Sequence, residues 1–309
     1  MKIRTLIIGA LALLFSWTAP AQESVPSNAV FEFLTLPRSV ARMGMAGAGS
    51  TLSGEGAALA VFDNPSSLPF ATAKRVDAAV SYGRWAPASQ NTLSNDIVGG
   101  VAVRLGRHFV VSAGLVQQMR PSLDLGGTSF APWERIIAAG AGVSFSDHLS
   151  LGLSARFVKQ AIMADYQLSG SALTALMQYR LGGFAVAAGA ANLGSGVKSE
   201  SGNASPLPSS ARLAASYELA AGPGALGLAL DADYYFAGQF GISAGASYGL
   251  WDTLYLRAAY RYASTGAAFP SHLALGLGGR WKGFSLDLSF ITANAQVGNS
   301  LGVSISYRY

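Results

Sequence analysis

Residues 299–309 read NSLGVSISYRY. Leu301, Val303, Ile305, Tyr307 and Tyr309 are apolar or aromatic, and Gly302, Ser304, Ser306 and Arg308 between them are small or polar. A two-residue period is the mark of a β-strand with two unlike faces. Here the period runs to the last residue. A strand that ends a chain leaves an unpaired edge unless it closes on an earlier one, as in a barrel. The stretch therefore predicts a closing strand, with Leu301, Val303, Ile305, Tyr307 and Tyr309 on its apolar face. An aromatic residue ending such a strand resembles the signal read by outer-membrane insertion machinery.

The same alternation spreads backward through the chain. Segments of about ten residues are expected as strands at 76–85, 97–105, 108–117, 135–145, 149–157, 171–180, 184–192, 210–219, 225–235, 240–250, 254–262, 271–281, 284–291 and 300–309, fourteen in all. In 97–105, Ile97, Val101, Val103 and Leu105 form one face and Val98, Gly100, Ala102 and Arg104 the other. In 225–235, Leu226, Leu228, Leu230, Ala232 and Tyr234 oppose Gly227, Ala229, Asp231, Asp233 and Tyr235. The small residues of the second face make a poor solvated surface, so the apolar face is expected to meet lipid. Connections alternate long and short, the longer at 86–96, 118–134, 158–170, 193–209, 236–239, 263–270 and 292–299. That asymmetry fits short periplasmic turns and longer outer loops. Trp85, Tyr234, Tyr260 and Tyr262 are expected at the outer interface, and Tyr179, Trp251, Trp281, Tyr307 and Tyr309 at the inner one.

Composition agrees. Half of the 309 residues are hydrophobic, only 12% are charged, and glycine reaches 37. Mean hydropathy is +0.33. No apolar run beyond residue 21 is long enough for a transmembrane helix, and only helices and closed barrels satisfy their backbone in lipid. The predicted class is all-β: a 14-stranded antiparallel transmembrane barrel in the outer membrane of a Gram-negative bacterium. Residues 1–21 read as an export signal, with basic Lys2 and Arg4, an apolar core from Leu6 to Trp17, and a cleavage site at Ala19-Pro20-Ala21. Without Lys2 and Arg4 the net charge falls from +5 to +3. That modest excess, with no basic cluster, excludes a nucleic-acid partner. Cysteine is absent, so no disulfide framework and no lipid-acceptor cysteine is available.

Residues 22–75 do not alternate. They are too apolar for a linker and are expected to fold inside the lumen as a hatch, with 76–309 as the barrel. Ala41 to Gly49 is rich in small residues that allow close backbone packing. FLTLPRSVARMGMAGAG (33–49) followed by DNPSSL (63–68) resembles the N-terminal hatch of the PorV/PorQ family, FadL-like fourteen-stranded barrels. The matching positions are Phe33, Leu34, Pro37, Ser39, Ala41, Arg42, Gly44, Gly47, Asn64 and Pro65; Ser66 stands where alanine is usual, and SVAR replaces SAR. SYGRW (81–85), LPSSARLAASYEL (207–219) and the closing LGVSISYRY extend the likeness. The resemblance implies a component of the type IX protein secretion system that binds translocon, cargo or attachment-complex proteins. Its FadL side implies the alternative: a transport channel for fatty acids or other hydrophobic compounds.

Chemistry-bearing motifs are few. GISAG (241–245) and GASYG (245–249) match the G-x-S-x-G esterase pattern, but they overlap within one expected strand, whereas that motif needs a strand-to-helix elbow. GMAGAG (44–49) lacks the spacing and context of a nucleotide loop. His108, His148 and His272 have no metal-ligand spacing. No catalytic residue, metal or cofactor is expected. The polar face of the strands instead carries a set of charges: Asp77, Arg104, Glu218, Arg280 and Asp287 in the inner half, and Arg156, Arg212, Asp231, Asp233 and Arg261 in the outer half. They are expected to tie wall to hatch, with Arg38 and Arg42 joining them, or to hold a ligand carboxylate. Met119, Leu123, Phe130 and Trp133, in the apolar outer loop 116–133, are candidates for contact with a protein partner.

Overall fold

The computed structural model describes residues 29–54, 56–71, 75–85, 93–125, 128–198, 204–292 and 299–309. The expected export signal at 1–21 and most of the expected loops at 86–96 and 292–299 lie outside them.

Among the described residues eighteen strands form in chain order: β1 (Val76–Trp85), β2 (Ser94–Arg104), β3 (Phe109–Met119), β4 (Leu123–Leu125), β5 (Thr128–Phe130), β6 (Trp133–Ser144), β7 (Leu149–Met163), β8 (Tyr166–Leu181), β9 (Phe184–Leu193), β10 (Val197–Lys198), β11 (Ala204–Ser205), β12 (Ser210–Ala221), β13 (Gly224–Tyr235), β14 (Phe240–Leu250), β15 (Leu254–Ala263), β16 (His272–Trp281), β17 (Phe284–Thr292) and β18 (Asn299–Arg308). Fourteen of them close one antiparallel barrel, and the pairs β4–β5 and β10–β11 form separate two-stranded ribbons. β18 pairs with β1 from Asp77↔Arg308 to Arg84↔Leu301. The final alternating stretch is thus the closing strand. Closure leaves the barrel without an unpaired edge.

The two faces separate by parity. On β18, Leu301, Val303, Ile305 and Tyr307 are exposed on the outside, while Ser300, Gly302 and Ser304 are buried within. On β13, Leu228, Leu230 and Tyr234 point out, and Asp231, Asp233 and Tyr235 are buried. The outward apolar side chains continue around the whole circumference. An apolar surface of that extent is stable against lipid, not water. At the inner rim Trp251, Trp281 and Tyr309 are exposed, as aromatic residues at a membrane interface should be.

Three expectations need correction. Residues 158–170 are not a long loop. β7 runs to Met163 and β8 starts at Tyr166, paired Met163↔Tyr166. The ladder outlasts the alternation because Lys159, Gln160, Gln167 and Ser169 have left the lipid and no longer need an apolar face. With a short connection there and another at 236–239, the expected strict contrast of loop lengths does not hold. Second, Trp85 is not an interfacial anchor. It is buried inside, edge-on to Phe269 at 5.5 Å. Third, Met119 and Trp133 are not loop residues but the paired ends of β3 and β6; Leu123 and Phe130 pair in the β4–β5 ribbon.

Residues 29–71 pack against the inward face of the wall. The short helix Val40–Met43 lies against β16, β17 and β18. The 3-10 turn Pro65–Ser67 meets β6, β7 and β8, and the helix Leu68–Ala71 meets β3 and β6. Glycines on both sides of the contact allow this approach. A Cβ on Gly44 would stand 2.7 Å from Cα of Gly276. A Cβ on Gly152 would overlap the Pro65–Ser66 peptide. In both places backbone meets backbone, which only glycine permits.

Candidate functional site

The lumen is built from what the wall strands present inward and what residues 29–71 present in return. One side is apolar. Phe31, Phe33, Leu34, Leu59, Val61 and Phe62 pack against Val98, Val116, Ile136, Ala138, Val158 and Ala172 of β2, β3, β6, β7 and β8. The other side, along β12 to β15, is a chain of charges. Arg42 bridges Asp63 at 3.1 Å and Asp231 at 3.4 Å. Asp231 also accepts from the backbone N–H of Gly49 at 2.9 Å. Arg212 pairs with Asp233 at 2.7 Å and donates to the carbonyl of Asp63, also at 2.7 Å. Arg261 lies 3.8 Å from Asp233 and donates to Ser243, whose hydroxyl donates to the carbonyl of Ala46. These groups are all nearly buried. Buried charges persist where opposite charges and hydrogen bonds satisfy them together.

The remaining charges read from the sequence also find partners. Arg156 donates to Asn192 Oδ1 at 2.8 Å and to the carbonyl of Phe62 at 2.5 Å. Arg104 donates to the carbonyl of Pro69 at 2.6 Å. Asp77 accepts from the N–H of Ala57 at 2.7 Å. Glu218 accepts from the N–H and hydroxyl of Ser53. Arg280 donates to the carbonyl of Gly54 and to Tyr255 Oη. Asp287 pairs with Arg257 of the wall at 2.9 Å. Residues 29–71 are thus hydrogen-bonded to the wall all around its inner face.

The hatch-motif residues lie in this contact. Phe33, Leu34, Ala41, Arg42 and Gly44 are buried, as are Asn64 and Pro65, with Pro37 and Gly47 partly so. Asn64 explains itself chemically: its amide donates to the carbonyl of Ser50 and to Gln178, and its Oδ1 accepts from the N–H and hydroxyl of Ser66. An alanine at position 66 would lack the hydroxyl bond to Asn64.

Sequence reading missed several members. Asp63 is the acceptor for Arg42, yet it lies in the stretch without periodicity. Asp96 pairs with Arg38 at 2.7 Å, in residues assigned to a loop. Arg257 holds Asp287. Strict alternation of the three β15 positions Arg257, Ala259 and Arg261 was the signal for Arg257. Ser243 of the esterase-like pattern sits mid-strand in β14 and is bonded to the Ala46 carbonyl and to Arg261, with no catalytic elbow around it.

Among the described residues the wall ladder shifts register at two places, beyond Ala161 at the outer end of β7 and between β8 and β9. Pairing of β8 with β9 slips between Leu173↔Leu193 and Ala175↔Ala190, and Asn192 there has φ 56°. Such a bulge bends a strand and interrupts its ladder. Here the interruption is filled. Asn192 accepts from Arg156, donates to the carbonyl of Pro208 at 3.4 Å, and its N–H bonds Thr174 Oγ1 at 3.2 Å.

This architecture has solved counterparts. The toluene transporter TbuX of Ralstonia pickettii matches with a TM-score of 0.59 and 11% identity, over 86% of this chain and 98% of its own. The monoaromatic hydrocarbon channel CymD matches at 0.60 and 13% identity, over 87% and 96%. The Pseudomonas putida toluene transporter TodX matches at 0.53 and 13% identity, over 87% and 97%. At these identities the shared property is the fold, a closed β-barrel. No family model matches the sequence, and no curated protein matches it significantly.

Cavities describe what space remains. One of about 40 Å³ lies between the wall and residues 29–71, and one of about 20 Å³ lies within residues 39–71 themselves. A water needs roughly 10–15 Å³ by such a measure, so these hold water and not a hydrocarbon. The larger is polar, lined by Asp77, Arg257, Arg280, Asp287 and Arg308 among others. Two larger apolar hollows, of about 620 and 540 Å³, are lined by outward residues such as Val80, Leu115 and Ile305, or Leu277, Leu288 and Val303. They belong to the lipid-facing surface.

Proposed function

We propose that this protein is an outer-membrane transport channel of the FadL-like type for small hydrophobic compounds, with residues 22–75 as a hatch that gates it. The supporting observation is a single closed fourteen-stranded barrel, occupied by its own N-terminal segment and similar over nearly the full length of three barrels described as toluene or monoaromatic hydrocarbon transporters. The route for an apolar solute is the seam where Leu59, Val61 and Phe62 face Val98, Val116, Ile136 and Val158. Water-sized cavities mean that passage requires the seam to open. Arg42, Asp231, Arg212 and Asp233 hold the opposite side of the hatch while it does. The role is non-enzymatic. The test is uptake of radiolabelled toluene by cells displaying the folded barrel. Expression should raise the initial rate several-fold over cells with empty vector. An unchanged rate with the barrel folded in the outer membrane would end this reading.

A second reading keeps the type IX secretion role. It is favoured by the PorV/PorQ-like motif around Phe33–Gly49 and by a lumen whose cavities fit only water. It expects a translocon, cargo or attachment-complex protein to co-purify in stoichiometric amount with the tagged barrel from its own membrane.

A further inference from the structure

One group of side chains on the outside of the barrel has no role in either reading. Gln117, Arg135 and Lys159 stand in register on β3, β6 and β7. Each shares the outward parity of Leu115, Ile137 and Phe157, the apolar row two residues nearer the membrane centre. Two residues of strand span about 7 Å, so Arg135 and Lys159 stand about that much further out than this apolar row, next to the strand-end pair Met119 and Trp133. Trp133 stands on the same face. The Arg135 guanidinium is 5.3 Å from its ring centre and the Lys159 ammonium 5.9 Å.

Two like charges paired directly across strands repel. Among the described residues, several cations are answered by carboxylates, while inward ones such as Arg156 and Arg280 donate to neutral oxygens of the N-terminal segment and the wall. Arg38, Arg42, Arg107, Arg120, Arg212, Arg257 and Arg261 all have a carboxylate within 4 Å. Arg135 and Lys159 have none among the described residues. The carboxylate adjacent in sequence, Glu134, points the other way. It is buried on the inner face and spent on Arg120 at 2.9 Å and Gln160 at 3.2 Å. Arg135 is steadied by a bond from Nε to Gln117 Oε1 at 2.8 Å, which orients it without neutralising it. Two adjacent cations are thus held over one indole on the outward face, near the ends of their strands.

We propose that Arg135, Lys159 and Trp133 form a binding site for a phosphorylated lipid of the outer leaflet. The two cations take the phosphate by charge-assisted hydrogen bonds, and Trp133 lies against the sugar or glycerol and upper acyl carbons, where an amphipathic ring is favoured. The site needs only that the barrel spans the membrane and does not depend on what passes through it.

Native mass spectrometry of the full-length barrel in mild detergent tests this, with lipid A as probe and the same lipid stripped of its phosphates for comparison. The wild type should retain one lipid A, and the phosphate-free lipid should bind at least tenfold more weakly. R135Q/K159Q should lose lipid A by a similar factor, R135K/K159R should keep it, and W133A should weaken it less than the double variant. R107Q/K282Q, at exposed inner-rim positions, should bind as wild type. Heat-modifiable migration on gels checks that every variant is folded. Equal retention by wild type and R135Q/K159Q, or equal binding of the two lipids, would overturn the proposal.

Discussion

The two sides of the lumen hold residues 29–71 by different physics. Toward β2, β3, β6, β7 and β8 the contact is mainly aliphatic and aromatic, with separate polar points such as Arg156, the Arg38–Asp96 pair and the Asn64–Gln178 bond. Toward β12 to β15 it is an ionic lattice centred on Asp231 and Asp233. Apolar contact is non-directional and tolerates sliding. The ionic side fixes register, because each buried charge displaced from its partner is costly. The difference assigns positioning to one side and adaptable contact to the other.

The most severe way to break that arrangement is to deny the segment its seat. Gly152→Leu drives a side chain into the Pro65–Ser66 peptide; the heat-modifiable folded band should be nearly lost on cold gel electrophoresis. Next comes the ionic side. Asp233→Ala leaves Arg212 and Arg261 buried without their carboxylate, and urea unfolding in micelles should show a loss of about 3–5 kcal/mol. On the apolar side, Leu34→Ala removes a buried side chain from the cluster and should cost about 2–5 kcal/mol in the same assay. If its cost falls at the low end, the apolar side collapses readily around a void, as an adaptable contact should. The mildest change, Ile136→Val, deletes one buried methylene opposite the segment and should cost about 0.5–1.5 kcal/mol. Should Ile136→Val exceed Asp233→Ala, the assignment of roles to the two sides would be reversed.

All fourteen wall strands were legible because lipid demands an apolar side chain at every second position, so the period survives even where glycine and alanine fill the other face. Legibility ended where that demand ended. Lys159 to Ser169 lost the alternation on leaving the bilayer, though the hydrogen-bond ladder continued to Met163↔Tyr166. Trp85 was misplaced for a related reason. Its parity with Ser81 and Asp77 puts it inside, but an aromatic at a strand end invites an interfacial reading. The charges of the site were visible as inward positions, since parity fixes a side chain's face. Their partners were not. Asp63 meets Arg42 and Asn64 meets Gln178, and these contacts depend on how an aperiodic segment folds against the wall.

The seam between β1 and β18 sets an order of assembly. Every other barrel joint links strands that follow one another around the wall as they do along the chain, whereas this one joins the first to the last. The wall therefore cannot shut until the final residues are in place. Ala57 is bonded to Asp77, one residue into β1, and Gly44 lies on Gly276. The segment packs against strands from both ends of the chain, so its full set of contacts exists only once that seam is shut.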